Sequence, residues 1–589
     1  MKKKLLCLML AALMLTSVCA FAEGETTEPE QTIEPEQTIE PEQTAEPEPD
    51  AEDAPLIDVD ASPGANESEI IEVPIEPEGV FQFGDLYGEQ LSVDFEEAMP
   101  ALCAAVFADE ADDGSLTAAK LAEFTNRLCS AIKNLEASVN LEDLNIKYTE
   151  NSIGILKRRY NAVLNSVAES FVCTAGGSVY TYYPDGNLVQ LSLGLKTNAA
   201  AMLSDYNNEK KAALSSLFPN GAADMTKTEI ALAIHDYIAL HTRYDYASVE
   251  NKTNDNPNMY NAYGVLVNGL AVCHGYALAY MDLLREMGVD SYFVSSNNIN
   301  HGWNIVNTEN GWYYSDVTRD DPRHNLGDYT NDGDFMGICM HGYFMNTEAQ
   351  LKENHFNGKV YDAMFSVVSG SSPAAAASAH PNSKFWSGIC SGMVYCNGQW
   401  YYNDGTFNAK NDESTGKPRI YTCGNICKTL YGTERTANVI APNATFFAPV
   451  DGSLIYARFN ESRNTDALMR YYTASGTAAK IVDLAEGTIV TEIGAGRLNI
   501  GNSIYPRGTV VYADMNSQLY TIVPSETAAG DVDLDGVLTI ADVTLICRHI
   551  MGQAQLSGAA LAAADINSDG SVGVADAVLL CQMISEGNE

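Results

Sequence analysis

The sequence predicts a multidomain protein, with a helical segment, an α+β domain, a β-rich repeat domain and a small all-α module in that order. The first observation behind this prediction is the length of 589 residues, because a domain typically takes roughly 100–200 residues. The second is a change from helical to strand periodicity along the chain. The third is a duplicated acidic loop near the C-terminal end, followed each time by an apolar helix.

Residues 1–22 are typical of a signal peptide. Lysines follow Met1, an apolar run occupies residues 5–15, and residues 20–22 (AFA) form a small-x-small cleavage site. The apolar run is too short to span a membrane, and the sequence contains no longer one, so we predict no membrane span. We therefore expect a secreted, extracellular protein.

Residues 23–83 form a predicted Pro/Glu-rich disordered linker. The pentapeptide EPEQT starts at positions 28, 34 and 40, with a degraded copy at 46. A repeat of this composition cannot bury an apolar core and stays extended and solvated. The net charge of the chain is −44, and so acidic a surface repels nucleic acid and anionic membranes. We therefore predict no nucleic-acid partner.

The chain has 13 cysteines, which constrain its thiol chemistry. Cys7 and Cys19 belong to the signal peptide, so an odd number remains and at least one thiol is free or pairs with another chain. His235 and His241 have no acidic neighbours at metal-ligand spacing, and we interpret them as structural. Four further cysteines match no usual zinc pattern, so we expect buried thiols or a disulfide pair. These four are Cys390, Cys396, Cys423 and Cys427.

Residues 84–220 are predicted to form a mostly helical ancillary segment. Apolar residues recur at i, i+3 and i+4 over residues 116–139 and 153–172, as expected for amphipathic helices. Residues 179–193 surround a PDGN turn, which predicts a hairpin. Nothing in this segment indicates a chemical function.

Residues 225–356 are predicted to form the α+β domain. Thr226 can cap a first helix, and a second helix begins near Val272 and ends before Gly288. Strands are predicted at residues 291–295, 303–306 and 312–316. Helices followed by strands in this order predict an α+β architecture.

Three residues of the α+β domain carry the side chains of a nucleophilic cysteine site. Cys273 opens a helix, His301 starts a strand and Asp316 ends the next strand. A thiolate attacks a carbonyl carbon, an imidazole holds and returns the proton, and a carboxylate orients the imidazole. A helix N-terminus favours a thiolate through its unpaired N–H groups and dipole, and the same amides can stabilise an oxyanion.

The register of the last two strands decides whether His301 and Asp316 meet. A two-residue turn at residues 310–311 would leave Asp316 four residues away from the position opposite His301. A longer loop over residues 307–310 places the two side chains opposite each other on one face. We therefore predict the longer loop.

Residues 269–277 (GLAVCHGYA), 301–304 (HGWN) and 312–322 (WYYSDVTRDDP) resemble the bacterial transglutaminase-like superfamily. The resemblance covers residues 225–356 and implies a papain-like core in which the three site residues form a Cys-His-Asp triad. It also implies a cysteine peptidase, amidase or transglutaminase activity on protein or peptide amides. The family includes inactive binding proteins, and no side chain here corresponds to an oxyanion donor.

Residues 384–526 are predicted to form a β-rich domain with an internal repeat. A glycine followed by an aromatic strand recurs at Gly398, Gly452 and Gly508, at intervals of about 55 residues. A second strand ending in Tyr-Thr follows each copy. The pattern predicts stacked hairpins or propeller-like blades whose tyrosines fill a sheet core, with a binding surface for glycan or protein as the alternative.

Residues 527–589 contain two EF-hand-type calcium loops. The motif DVDLDG starts at Asp531, and its copy DINSDG starts at Asp565. Loop positions 1, 3, 5 and 12 supply side-chain oxygens, position 6 is the turn glycine, and position 7 supplies a carbonyl. We predict two calcium ions here and no cofactor for catalysis. The predicted ligands are Asp531, Asp533, Asp535, Val537, Asp542, Asp565, Asn567, Asp569, Ser571 and Asp576.

A calcium loop and helix, duplicated at a C-terminus, resemble a type I dockerin. The resemblance implies a small all-α module that binds a cohesin domain of a scaffoldin, within a polysaccharide-degrading cellulosome at the cell surface. It also implies recognition through positions 10, 11, 17 and 18 of each loop–helix unit, in two binding orientations because the units are nearly symmetric. These positions are Ile540, Ala541, Cys547, Arg548, Val574, Ala575, Cys581 and Gln582.

These patterns together predict a secreted cysteine acyl-transfer enzyme that is attached by a dockerin to a cohesin-bearing scaffold. The alternative is a non-catalytic binding or architectural component that retains a transglutaminase-like fold. A glycoside hydrolase, which a dockerin alone would suggest, lacks a recognisable pair of catalytic carboxylates here. The reactivity of Cys273 distinguishes the first two hypotheses, and sugar release tests the third.

Overall fold

The structure is a computed structural model that describes residues 71–74 and 116–586 with internal gaps. The gaps are 165, 175–177, 219–220, 247, 249–255, 297, 323–335, 357–358, 360, 362–363, 367–372, 397, 412–417, 451, 461–463, 474–475, 496–497, 501–502, 506–508, 515–518, 523–528, 533–537, 553–555, 557–560, 562 and 568–570. The predicted signal peptide, nearly all of the predicted linker and residues 84–115 lie outside the described residues. So do four predicted calcium ligands, Asp533, Asp535, Val537 and Asp569.

In the part that precedes the α+β domain, helices pack on a small antiparallel sheet and share one apolar core with that domain. The first helix begins where the Thr117 hydroxyl accepts the N–H of Lys120, and it ends at Leu135 in the left-handed conformation. The predicted hairpin around the PDGN turn forms. The helices are Ala118–Asn134, Glu150–Leu164 and Ala199–Leu217, with 3₁₀ turns at Glu142–Leu144 and Ala168–Val172. The strand order is Ile71–Pro74, Val179–Tyr182, Leu188–Ser192 and Ser138–Asn140.

Two long helices form the helical layer of the α+β domain. Lys227–His241 begins with a capping box, in which Thr226 and Glu229 satisfy each other's backbone N–H groups. Cys273–Glu286 ends before Gly288, whose φ of +74° suits a residue without a Cβ. The short helices are Val317–Asp320 and Glu348–Leu351, and the π-helical turns are Gly264–Asn268 and Lys352–Phe356.

An antiparallel sheet packs against the helix Cys273–Glu286. Asn304 donates its side-chain N–H to the carbonyl of Ala277 at 2.9 Å, which ties the sheet to the first half of that helix. The strand order in the described residues is Met364–Ser366, Ser291–Ser296, His301–Thr308 and Gly311–Ser315. A short parallel pair, Arg243–Tyr244 with Leu270–Ala271, leads into the helix.

The hairpin between the last two strands of this sheet contradicts the predicted register. Thr308 pairs with Gly311, which leaves a two-residue turn, so the predicted longer loop is wrong. Continuing the observed register puts Asp316 opposite Trp303 rather than opposite His301. The two site residues still meet, because diagonal neighbours on one face of an antiparallel pair lie within reach of long side chains. The prediction failed because it considered directly opposed residues alone.

The β-rich region contains one sheet of nine described strands and smaller sheets beside it. The first two copies of the repeat lie in the large sheet, so propeller-like blades are wrong for these copies. Tyr401, Tyr456 and Tyr512 of the repeats are buried, as predicted. The large sheet contains Val394–Cys396, Gln399–Asn403, Thr406–Asn411, Pro418–Thr429, Asn438–Ala444, Ala448–Val450, Ser453–Phe459, Thr465–Tyr472 and Thr477–Asp483. The smaller sheets contain Val490–Ala495, Val510–Asp514 and Leu519–Ile522, and Leu498–Ile500 with Ser503–Tyr505.

A short helix, Ser383–Trp386, links the α+β domain to the β-rich region. The four cysteines considered for a disulfide or a metal are free thiols in the structure, namely Cys390, Cys396, Cys423 and Cys427. The expectation of a buried thiol holds for Cys427 alone, because Cys390 and Cys396 are half-buried and Cys423 is exposed.

The C-terminal module is all-α in its described residues. Its helices, Ile540–Ile550 and Val574–Glu586, pack through Val543, Ile546 and Leu580. The predicted fold class is therefore confirmed, from the helical segment through the α+β core and the β-rich region to this module. No helix among the described residues combines the length and the apolar character that crossing a membrane requires.

Candidate active site

Cys273 is the first residue of its helix, and the chain before the helix is held in place. The N–H of Val272 donates to the carbonyl of Met259 at 2.8 Å. Gly275 is tightly enclosed, since a Cβ there would lie 2.9 Å from the Met259 carbonyl oxygen. Cys273 is thus fixed at the helix N-terminus, where the dipole and the first-turn amides favour a thiolate and an adjacent oxyanion.

The structure brings His301 and Asp316 together. His301 Nε2 lies 2.6 Å from Asp316 Oδ2. Asp316 leaves the strand as the N-cap of Val317–Asp320, and its Oδ1 accepts the N–H of Arg319 at 3.1 Å. Because Nε2 is engaged by the carboxylate, Nδ1 is the ring nitrogen of His301 that can serve the thiol. Cys273, His301 and Asp316 are 3%, 6% and 1% exposed.

The electrostatics of the site favour a charged imidazole. Burial opposes protonation of His301, but the charges of Asp316 and Cys273 and the hydrogen bonds to both raise its pKa to about 9. Burial also opposes ionisation of Asp316, yet His301 and His355 hold the pKa of that carboxyl well below its usual range. Since an imidazolium beside a thiol stabilises the thiolate, the arrangement suits a thiolate–imidazolium pair.

His355 is a fourth residue of the site, and it was not predicted from the sequence. Its Nε2 lies 2.6 Å from Asp316 Oδ2, so this one oxygen serves two imidazoles. The His355 ring lies edge-on to Tyr343 and 5.3 Å from the Trp303 ring. The residue stands 39 positions after Asp316, in the π-helical turn Lys352–Phe356. No motif in the sequence marks a contact over that separation.

His274, the neighbour of the nucleophile, has a packing role. Its ring stacks on Phe293 with centroids 4.6 Å apart and planes 22° apart. Phe293 lies on the strand Ser291–Ser296, so the stack joins the start of the helix to the sheet. His274 therefore contributes to the position of Cys273.

In the C-terminal module, the aspartates at position 12 organise the two loops in the same way. Asp542 accepts the N–H of Val532 and the N–H of Thr539, both at 2.8 Å. Asp576 makes the equivalent two bonds in the second loop, at 2.9 and 2.8 Å. Both carboxylates are buried. This repetition shows that the duplication in sequence is also a duplication in structure.

The described donors of these loops suit a hard cation. Asp531 is buried, Asp565 is half-buried, and Asn567 and Ser571 are exposed beside it. Buried carboxylates are costly without a positive charge, and carboxylate, amide and carbonyl oxygens are the ligands that calcium prefers. The residues present therefore fit calcium.

The residues predicted to contact a partner lie on the two helices of the module. Ile540, Arg548, Ala575 and Gln582 are exposed, whereas Cys547, Val574 and Cys581 are half-buried. Ala541 lies in the first helix, and its side chain is outside the described part. Four of the eight predicted positions are thus exposed to a partner.

Two family models match separate parts of the chain. The transglutaminase-like superfamily matches residues 218–317, and the dockerin type I domain matches residues 529–585. No curated relative matches the chain. Both predicted resemblances are thereby confirmed.

Solved structures offer only partial similarity. A crystal structure of a TGase is 14% identical, with a TM-score of 0.17. The matched region covers 29% of this chain and 48% of the TGase chain. A proposed cysteine protease from Cytophaga hutchinsonii is 16% identical, with a TM-score of 0.15. The matched region covers 24% of this chain and 57% of the protease chain. The chain thus spans about half the length of these structures. On the family matches, the chain contains a transglutaminase-like core and a C-terminal type I dockerin domain.

Proposed function

We propose that the protein is a secreted cysteine acyl-transfer enzyme acting on protein or peptide amides, with Cys273, His301 and Asp316 as its triad. The observation that carries this proposal is the buried contact of His301 with Asp316 beside a cysteine at a helix N-terminus. Each side chain has the environment that its role requires.

In the proposed reaction the Cys273 thiolate attacks the amide carbonyl carbon, and the negative charge moves to the carbonyl oxygen near the first-turn amides. The carbon–nitrogen bond then breaks as His301 gives its proton to the leaving amine, which leaves a thioester. His301 next takes a proton from water or from an acceptor amine, which attacks the thioester and releases the thiolate. Asp316 keeps the imidazole oriented throughout, and His355 orients Asp316.

We expect hydrolysis rather than cross-linking. Water is abundant in an extracellular setting, and no amine-binding pocket is recognisable in the sequence. Solvent access to the thioester decides between the two outcomes. The ratio of hydrolysed to amine-coupled product therefore measures this part of the proposal directly.

The dockerin would attach this enzyme to a cohesin domain of a scaffold. The two equivalent loops support two bound calcium ions, held by the predicted ligands of each loop, and calcium would neutralise their carboxylates. A scaffold of this kind implies a cell-surface, polysaccharide-degrading complex of the cellulosome type. The catalytic core would supply an amide-directed activity within it.

One observation favours a second candidate, a non-catalytic binding or architectural component. Cys273 is only 3% exposed, so a substrate carbonyl has little access to Sγ in this conformation. A retained but inaccessible triad would be expected of a transglutaminase-like domain that serves as a scaffold. The two candidates differ in whether a substrate acylates Cys273.

The test is direct detection of the acyl-enzyme. The mature chain is incubated with a peptide mixture containing glutamine and asparagine, with and without a primary amine, and quenched in acid for mass spectrometry. We expect an acyl adduct on the Cys273 peptide, shortened in lifetime by the amine only if the enzyme cross-links. Cys273→Ala serves as the control. An unmodified Cys273 with every peptide, and no released ammonia or cleaved peptide, would favour the architectural candidate.

A further inference from the structure

A second group of metal-ligating side chains lies in the core, apart from the triad. His235, Asp236, Cys339 and His341, here termed the buried cluster, present ligand atoms within 4.8 Å of one another. The four residues are between 0% and 6% exposed. The proposed reaction uses none of them. The cluster therefore calls for a role of its own.

Four of the six distances between ligand atoms of the buried cluster lie near the edge lengths of a tetrahedron around zinc. Asp236 Oδ1 lies 2.8 Å from His235 Nδ1, 3.2 Å from His341 Nε2 and 3.6 Å from Cys339 Sγ. Cys339 Sγ lies 3.9 Å from His235 Nδ1. Four ligands at zinc bond lengths of about 2.0–2.3 Å are separated by about 3.2–3.8 Å. For all four atoms to reach one central ion, the 2.8 Å contact of His235 with Asp236 must widen and the longest separations, at most 4.8 Å, must shorten.

The second ring nitrogen of each histidine in the buried cluster lies near a group of the kind found beside metal-bound histidines. His235 directs Nδ1 into the cluster, and its Nε2 lies 3.3 Å from the Asp320 carboxylate. His341 directs Nε2 into the cluster, and its Nδ1 lies 3.1 Å from the carbonyl of Ile389. Metal-bound histidines usually direct their second nitrogen to a carboxylate or a backbone carbonyl, which fixes the tautomer. His341 satisfies this rule, and His235 has the Asp320 carboxylate at ion-pair distance without the geometry of a hydrogen bond.

The aspartate is held in the same manner. Asp236 Oδ2 accepts the N–H of Met393 at 2.6 Å and lies 3.0 Å from His341 Nε2, while Oδ1 lies near His235 and Cys339. A divalent ion with one thiolate, one carboxylate and two neutral imidazoles has no net charge, which suits a site without solvent. Thiolate and imidazole together select zinc over calcium or magnesium.

We propose that His235, Asp236, Cys339 and His341 bind one structural zinc ion. Four protein ligands close the tetrahedron, so the site has no open position for substrate or water. It joins the helix Lys227–His241 to the segment around Cys339. From the sequence alone, His235 was interpreted as structural. Asp236 stands next to it in the chain, and Cys339 and His341, more than a hundred positions later, fold against these two residues.

The proposed zinc would also support the triad. Asp320, the partner of His235, accepts the N–H of Tyr343 at 3.0 Å with both carboxylate oxygens. The carbonyl of Tyr343 accepts the N–H of Asp316 at 3.2 Å. One chain of polar contacts therefore runs from the buried cluster to the triad carboxylate. Zinc loss is expected to loosen Asp316 without removing any triad residue.

The test measures zinc in the full mature chain that carries Cys273→Ala, which removes the thiol of the triad as a competing ligand. The protein is loaded with zinc chloride in excess calcium, desalted and analysed by elemental mass spectrometry. We expect one zinc per chain, most of it lost with the added substitution His341→Ala and all of it kept with Cys427→Ser, a buried thiol elsewhere. No retained zinc, or zinc unaffected by His341→Ala, would overturn the proposal.

A second measurement needs no variant of the cluster. The same Cys273→Ala chain is loaded with Co²⁺, which replaces zinc and absorbs light. Tetrahedral coordination with one thiolate predicts intense visible bands together with a sulfur-to-cobalt charge-transfer band in the ultraviolet. Weak visible bands without charge transfer would show that Cys339 is not a ligand and would contradict the site.

Discussion

Asp316 is the residue on which the largest number of site contacts converge. Its Oδ2 serves His301 and His355, and its Oδ1 caps a helix through Arg319. Its own N–H donates to Tyr343. A carboxylate held by three contacts, on a backbone held by a fourth, cannot rotate away from His301, and this rigidity preorganises the imidazole for proton transfer.

We expect Asp316 and its partner His355 to differ in their importance for kcat. Asp316→Asn should lower kcat by roughly 10³–10⁴, because the imidazole loses its orientation and its counter-charge. His355→Phe keeps an aromatic ring but removes one hydrogen bond to a charged group, so kcat should fall roughly 10- to 100-fold with KM unchanged. Steady-state kinetics on a peptide amide measure both values. His380→Phe, a buried histidine outside the site, is the matched control, and a wild-type kcat for His355→Phe would refute its positioning role.

The activity should also depend on pH in a defined direction. The pKa of His301 is raised to about 9 despite its burial, through Asp316 and Cys273. The imidazolium therefore persists below about pH 9 and is lost as the pH rises through that value. We expect kcat/KM to fall on the alkaline side with a midpoint near 9, because the leaving amine then receives no proton. An alkaline limb that does not move in Asp316→Asn would show that another group titrates.

The sequence predicts the positions of Cys273, His301 and Asp316, because local context places each at the end of an element. His355 has no such context, since it meets Asp316 across 39 positions of chain. The buried cluster escapes for the same reason, since Cys339 and His341 reach His235 only once the domain has folded. Local patterns therefore predict the residues that begin and end elements, and they miss contacts that depend on tertiary packing.

At the scale of elements, the helix Cys273–Glu286 positions the nucleophile. Its first turn fits so closely that a Cβ on Gly275 would lie 2.9 Å from Ala271 Cβ, 2.9 Å from Met259 O and 3.0 Å from Asn261 O. Two of these neighbours are backbone atoms, which cannot move independently. The helix start is therefore fixed by steric fit as well as by hydrogen bonds.

Gly275→Ala should consequently destabilise the domain by about 1–3 kcal/mol, because the helix start must shift to relieve the overlap. It should also slow acylation, since Sγ moves with the helix. Gly154→Ala is the matched control. That position faces only the end of the Arg158 side chain at 3.5 Å, so alanine should stabilise its helix by roughly 0.5–1 kcal/mol. Denaturant unfolding measures both changes, and equal effects would contradict the steric account.

The strand hairpin shows what element patterns leave undetermined. The strands at His301–Thr308 and Gly311–Ser315 match the predicted segments, yet the turn between them is two residues long. A two-residue turn is the commonest hairpin connection. The longer loop was predicted only because His301 and Asp316 were required to lie directly opposite each other, whereas they meet as diagonal neighbours.

At the scale of the whole molecule, the proposed catalytic core and the proposed attachment module are separate parts of the chain. The C-terminal helices have their own apolar core, and the loops that precede them hold buried carboxylates. Removal of calcium should therefore unfold the dockerin and leave the transglutaminase-like core folded. Hydrogen exchange in the presence of a chelator should show deprotection confined to residues 529–585.

The same treatment should abolish binding to a cohesin while acylation of Cys273 continues. Asp542→Ala and Asp576→Ala each remove one loop carboxylate and should each weaken calcium binding, with the double variant failing to bind cohesin. Isothermal titration with calcium and then with a cohesin measures both steps. Loss of activity in parallel with loss of calcium would contradict the separation of modules.

The central claim is that Cys273 and His301 form a reactive pair, and the pH dependence of iodoacetamide alkylation tests it most directly. Peptide mapping follows the rate at Cys273 in wild type, in His301→Ala and in the control His380→Ala. The account predicts that alkylation stays fast at neutral and mildly acidic pH, well below the range in which an ordinary thiol of pKa about 8.5 reacts, and that His301→Ala alone abolishes this behaviour. A thiol that reacts slowly and in the same way in all three proteins would contradict the claim and leave a dockerin-anchored protein without catalytic function.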